Sequence, residues 1–135
     1  MSVLLDTGIV YAYYDRSDAW HARARRLIEH EQRGVLLPSP VIPEVDWLLG
    51  QRIGAAAQST FFAGIVDGYY LVVDLPRPSY ARVAELNQRY SDLQLGFVDA
   101  AIVAIAESLG LTRIATTDRR HFEPLAALLR FELIP

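Results

Sequence analysis

Four short apolar runs punctuate this chain, each bounded by a polar or turn residue and each separated from the next by helical pattern, and no other feature limits the fold as strongly. The runs are Val3-Leu4-Leu5 ending at Asp6, Val35-Leu36-Leu37 ending at Pro38, Tyr69 to Val73, and Arg113 to Thr116. Continuous apolar runs this short suit strands buried on both faces, the condition of a parallel sheet covered by crossing helices. Between them, Thr7 to Tyr14 is apolar on too many faces for an exposed helix. Ser17 or Asp18 is placed to cap a helix running to about Arg33 and closed by Gly34. Ser39-Pro40 opens a helix through Leu49, with Val41, Ile42, Val45, Leu48 and Leu49 on one stripe. Helices are also expected over Ala55 to Val66, Ser79 to Tyr90, Phe97 to Leu109 with Gly110 as its stop, and His121 to Leu129; Arg130 to Ile134 alternates like a terminal edge strand. The expected fold is therefore α/β in three layers: a mostly parallel, twisted sheet of four to five short strands with helices on both faces.

No repeat and no Gly, Ser or Pro-rich linker divides the chain, so residues 1–135 read as a single domain. With 52% hydrophobic residues it can bury a core, which excludes disorder. Two absences exclude whole chemistries. The chain has no Cys, so disulfide scaffolds, thiol catalysis and Cys-ligated metals drop out. It also has thirteen Arg and no Lys, which removes P-loop and Schiff-base mechanisms. The apolar runs are too short for a membrane span and no basic leader precedes one, so a cytoplasmic location is expected. A net charge of -3 decides nothing about partners, since five Arg (16, 23, 25, 26 and 33) fall in one early stretch.

In a parallel sheet, function gathers where the strands end. Asp6 ends the first strand and Asp118 the fourth, so both face that crevice. Asp99 lies near the start of the most apolar helix, beneath Ile102 and Val103, where a carboxylate is costly unless compensated. Glu44 borders the stripe of Val41 and Leu48, and Asp46 has a similar geometric claim. Two like charges about 5 Å apart at an effective dielectric near 20 cost roughly 3 kcal/mol, a large fraction of the roughly 5 to 15 kcal/mol that holds a domain folded. A divalent cation relieves this, and oxygen-only donors favour Mg²⁺ or Mn²⁺ over zinc. Each acid also has a plainer role: Asp6 can cap the Thr7 helix, Asp118 the His121 helix, and Asp92 a turn.

Leu4-Leu5-Asp6-Thr7, then Pro43-Glu44-Val45, then Leu95-Gly96-Phe97-Val98-Asp99-Ala100, then Thr116-Thr117-Asp118-Arg119-Arg120-His121-Phe122 together resemble the PIN-domain family, and within it the VapC-type toxins of bacterial toxin-antitoxin systems. The resemblance runs the length of the chain. It implies that Asp6, Glu44, Asp99 and Asp118 form an acidic catalytic pocket, with Asp6 and Asp99 as direct metal ligands and the hydroxyls of Thr7 and Thr116 in support. Gly8 stands where Ser often follows Asp-Thr, so no hydroxyl is expected from that position.

The activity so implied is Mg²⁺-dependent hydrolysis of RNA phosphodiester bonds, with Mn²⁺ as a substitute. Glu44 or Asp118 would orient the attacking water or accept its proton. Arg119 and Arg120, with the Arg16 to Arg33 stretch, are candidate contacts to the RNA backbone. The resemblance also implies a small VapB-like antitoxin as partner, and a homodimer, for which Trp20, Trp47, Phe61 and Phe62 are either interface or core residues. The alternatives are a PIN-like module that binds RNA or protein without cutting, and a haloacid-dehalogenase-type phosphatase; Gly8 and the absence of Lys weigh against the latter.

Overall fold

The computed structural model describes residues 2–31 and 34–135. Among them, strands β1 (Val3–Leu5), β2 (Val35–Pro38), β3 (Leu71–Val73), β4 (Arg113–Ala115) and β5 (Glu132–Ile134) form one sheet. The order is β3-β2-β1-β4-β5 and every pairing is parallel, the terminal edge strand included. The helices are α1 (Thr7–Tyr14), α2 (His21–His30), α3 (Ile42–Arg52), α4 (Ala55–Val66), α5 (Tyr80–Arg89), α6 (Gly96–Leu109) and α7 (Arg119–Leu129).

Helices cover both faces of this sheet, and β1 shows it most directly. Its side chains alternate between the two faces, yet Val3, Leu4 and Leu5 are all fully buried. In α6 the burial is equally complete, with every residue from Ala100 to Ala106 inside. Four of those seven are alanines, whose small side chains let neighbouring elements approach the helix closely. The helix ends as its sequence suggests: Gly110 turns left-handed at φ 67°, and the Leu111 amide bonds the Ala106 carbonyl at 2.8 Å.

Several boundaries move for identifiable reasons. The α2 helix begins at His21 instead of Ser17 or Asp18, because Asp18 forms its own turn: its carboxylate accepts the Trp20 amide and its carbonyl the His21 amide. It stops at His30; the expected end at Arg33 falls outside the described residues. Ser39-Pro40 opens a 3-10 turn, and α-helical geometry starts at Ile42. β3 starts at Leu71, since the amides of Tyr69 and Tyr70 both bond the Gly64 carbonyl at the end of α4. α7 begins two residues before His121, directly after its cap at Asp118.

From β1 the chain builds outward through β2 to β3, then returns to lay β4 on the other side of β1. The strand order therefore reverses between β1 and β4, which opens a crevice at their carboxyl ends. Among the described residues no helix is long and apolar enough to cross a membrane. Of the four aromatics read as core or interface, Phe61 is buried, Trp20 is half-buried against the core, and Trp47 and Phe62 are exposed.

Candidate active site

Asp6 leaves the end of β1 with its amide still bonded to the Ala115 carbonyl of β4 at 2.9 Å, so its backbone is held by the sheet. Its carboxylate caps α1 through the Thr7 amide at 2.7 Å, and its other oxygen accepts the Thr116 hydroxyl at 2.7 Å. Capping and site are one arrangement here, not alternatives. The residue is only 5% exposed. Burial pushes its pKa up to about 7, with further upward push from Asp99 and Asp118; the Thr116 hydroxyl and the Thr7 amide oppose the rise without cancelling it.

Thr116 is fully buried and serves two acids. While donating to Asp6, its hydroxyl oxygen accepts the Asp118 amide at 2.9 Å, which fixes the chain as it leaves β4. Asp118 in turn caps α7 by accepting the Arg120 amide at 3.2 Å. Asp99 enters from the first turn of α6. Burial raises its pKa above the ordinary carboxylate value, the ring of His121 opposes the rise, and the charges of Asp118 and Glu44 add to it.

His121 is the site residue that sequence reasoning missed. Its Nδ1 hydrogen-bonds an Asp99 oxygen at 2.9 Å and lies 3.3 Å from an Asp118 oxygen, so one ring nitrogen stands beside two of the four acids. The signal that could have found it is the Asp118-x-x-His121 spacing, which puts both side chains on one face at a helix start.

Glu44 is exposed at the start of α3, where it accepts the Thr7 hydroxyl at 2.6 Å. Asp46, the rival by geometry, instead offers its backbone carbonyl to Gln58. Asp92 sits exposed in a 3-10 turn, as its turn reading requires. Thr7 thus links Asp6, through its amide, to Glu44, through its hydroxyl.

Gly8 gives an unexpected result. A methyl group added there would come 2.2 Å from Oγ1 of Thr117, so a hydroxyl does stand beside this position, delivered from the β4 side of the crevice. The arginines divide. Arg119 donates to the Pro135 carbonyl at 2.6 Å and lies 3.6 Å from Glu123, whereas Arg120 is exposed. In α2, Arg25 pairs with Glu29 and Arg23 stacks on Trp20; Arg33 lies outside the described residues.

Among the described residues no three His, Asp or Glu side chains form a ready-made metal cage. The donor chemistry nonetheless fits Mg²⁺, which binds through one or two carboxylates and keeps several waters. Asp6 and Asp99 are both destabilised as anions, Asp6 in part by Asp99, a penalty that a hard cation held by these carboxylates would offset.

A parallel α/β sheet with four carboxylates gathered at its switch point defines a class of acidic-crevice domains. Residues 3–128 match the family model of the PIN domain, and the chain belongs to that family. It is similar to ribonuclease VapC26 of Mycobacterium tuberculosis, at 27% identity over 135 residues that cover 98% of this chain and 100% of that protein. Two crystal structures share the fold. One is VapC20 of Mycobacterium tuberculosis, a Sarcin-Ricin loop cleaving toxin, with TM-score 0.76 and 24% identity over 83% of this chain and 86% of that one. The other is FitAcB of Neisseria gonorrhoeae, with TM-score 0.72 and 16% identity over 98% and 96%. Membership of the PIN family removes the haloacid-dehalogenase alternative.

Proposed function

We propose that this chain is a Mg²⁺-dependent endoribonuclease and the toxin of a toxin-antitoxin pair. The observation that carries the reading is the pairing of buried Asp6 with half-buried Asp99, two carboxylates with raised pKa values at the carboxyl end of the sheet. The similarity to a ribonuclease and to a toxin that cleaves the Sarcin-Ricin loop supplies the substrate class. Likeness in fold to a toxin-antitoxin complex from Klebsiella pneumoniae supports the expectation of an antitoxin; the homodimer and the cytoplasmic location are expectations that rest on the family resemblance.

In this reading Asp6 and Asp99 hold the ion. When bound there, Mg²⁺, or Mn²⁺ in its place, would supply acidification of water and relief of negative charge at the phosphate. The protein's own contributions are positional. Thr116 and the Thr7 amide lock Asp6 in one rotamer, and His121 aligns Asp99 with Asp118. Glu44, exposed and anchored by Thr7, or Asp118 would orient the attacking water or take its proton. Arg120, and Arg119 once released from Pro135, supply attraction to the RNA backbone.

The test is cleavage of a hairpin RNA mapped at nucleotide resolution, beside a DNA strand of the same sequence. Cutting in the loop is expected with Mg²⁺, abolished by a chelator and by Asp6→Asn. Cleavage that survives both, or equal cutting of the DNA, would refute the proposal.

A further inference from the structure

The two tryptophans of this protein are handled in opposite ways. Trp20 is half-buried, packs against the core, and has the guanidinium of Arg23 at 3.8 Å from its ring centre. Trp47 is 63% exposed, and among the described residues no other ring or guanidinium lies against it. Leaving an indole in water forgoes the largest apolar burial of any side chain. Its place is specific. Trp47 stands one turn beyond Glu44 on α3, on the same face.

Together with Thr7, Pro43, Glu44 and Leu48 it lines a cavity of about 450 Å³. Thr7 and Glu44 belong to the acidic crevice as well, bonded to one another at 2.6 Å. The hollow is thus continuous with the site and differs from it in character: three apolar walls, one carboxylate and no cation. That lining repels a phosphate and welcomes a flat, uncharged π-system. Unpaired nucleotides offer such a surface on every base, joined to a phosphate that must lie outside the hollow.

We infer that the Trp47 hollow is a base-stacking subsite, which seats one unpaired base of the RNA and thereby presents the adjoining phosphate to the acidic crevice. This deepens the ribonuclease reading and rests on it for the identity of the polymer. The subsite selects unpaired over paired RNA, because a base within a duplex already stacks on its neighbours and cannot enter.

The experiment uses the full chain with Asp6→Asn to stop cutting and Trp20→Phe to leave Trp47 as the sole indole. The probes are an unstructured RNA oligonucleotide and an abasic ribose-phosphate chain of equal length. RNA is expected to quench Trp47 emission and the abasic chain is not. Trp47→Ala should weaken RNA binding about fivefold or more, the least that stacking on one ring contributes, while Trp47→Phe retains most of it. With Asp6 restored, Trp47→Ala should lower kcat/KM on a hairpin loop by a similar factor and leave the Mg²⁺-dependent shift in Tm unchanged.

Equal quenching by the abasic chain, or undiminished binding by Trp47→Ala, would overturn the subsite. So would a Trp47 emission that shifts with protein concentration and not with RNA, since the indole would then be covered by a second copy. Failure of the two readings is separable. Wild-type cleavage that Trp47→Ala matches in rate and position removes the subsite alone, whereas base-dependent quenching without any cleavage by the wild type removes the ribonuclease assignment alone.

Discussion

Asp6 and Tyr70 are both buried polar residues, at 5% and 1% exposure, and the protein treats them in opposite ways. Tyr70 is surrounded by groups that make it comfortable. Its hydroxyl is paired with that of Tyr14 at 2.8 Å, its ring meets Phe61 and Tyr69 edge-on, and Gly64 leaves room for it, since a methyl there would sit 3.0 Å from the ring. Burial holds its pKa well above the ordinary tyrosine value, so it stays neutral and locked at any physiological pH. Asp6 is hydrogen-bonded too, by the Thr7 amide and the Thr116 hydroxyl, yet burial, with the charges of Asp99 and Asp118, leaves it titrating near neutrality. A core invests in satisfaction; a site tolerates a charge conflict that something from outside can relieve.

The sharpest way to break this comparison is to disable each region in turn and ask what is lost. Phe61→Ala, which removes the ring at the centre of the tyrosine cluster, should cost about 3 to 5 kcal/mol of stability. The Mg²⁺-dependent stabilisation of the remaining folded protein should persist. Asp99→Asn should do the reverse. Without metal its stability should equal or exceed that of the wild type, because a like-charge conflict is eased, but the stabilisation of about 2.7 kcal/mol expected at a hundredfold excess of Mg²⁺ over Kd should vanish. Melting with and without Mg²⁺ reads both. Equal Mg²⁺ shifts in wild type and Asp99→Asn would refute the ligand role of Asp99.

The second contrast is in pH dependence. An acid whose folded pKa lies above its unfolded value binds its proton more tightly when folded, so stability falls as pH rises between the two values. For Asp6 that window runs from 3.8 to about 7, and Asp99 is shifted in the same direction. Metal-free protein should therefore lose stability from about pH 4 to about pH 7, by at most about 1.4 kcal/mol per pH unit for each such proton. Saturating Mg²⁺ should flatten the decline, since the metal competes with the proton. Asp6→Asn should remove its share of the slope, while Tyr70→Phe leaves the slope intact because Tyr70 does not titrate in this window. Stability of the metal-free wild type that rises across the same window would contradict the assigned shifts.

What can be read from the sequence follows the same division. Strand ends are periodicity signals, so the pattern alone puts Asp6 and Asp118 at the carboxyl ends of β1 and β4, where the fold holds them. Asp99 stands out because a carboxylate on an apolar helix needs an explanation. The start of α2 departs from its pattern because Asp18 bonds its own local backbone, a competition between side chain and helix that periodicity does not weigh. His121 stands in the run that carries the resemblance but receives no role there, since a single histidine at a helix start carries no periodic signature; its distances to Asp99 and Asp118 reveal its part. The choice of Glu44 over Asp46 depends on contact with Thr7, which spacing along one helix does not determine.

The smallest expected effect tests the pair that no sequence pattern shows, Gly8 and Thr117. Gly8 lies within α1, where replacing Gly by Ala ordinarily stabilises a helix by about 1 kcal/mol. Here the added methyl would meet Thr117 Oγ1 at 2.2 Å, so Gly8→Ala should instead destabilise, by about 1 to 3 kcal/mol as for other forced overpacking. The same methyl is 3.5 Å from Thr117 Cβ, an ordinary contact, so removing only the hydroxyl clears the clash. Adding Thr117→Ala to Gly8→Ala should recover the loss and leave the double variant near or above wild type. A thermodynamic cycle of the four proteins, measured by denaturant unfolding, isolates the coupling. If the two changes simply add, Thr117 does not stand against Gly8, and the hydroxyl at the mouth of the crevice lies somewhere else. If they couple as expected, the hydroxyl beside α1 comes from the strand-end loop after β4, and its loss in Thr117→Ala can be compared with its return in Gly8→Ser combined with Thr117→Ala.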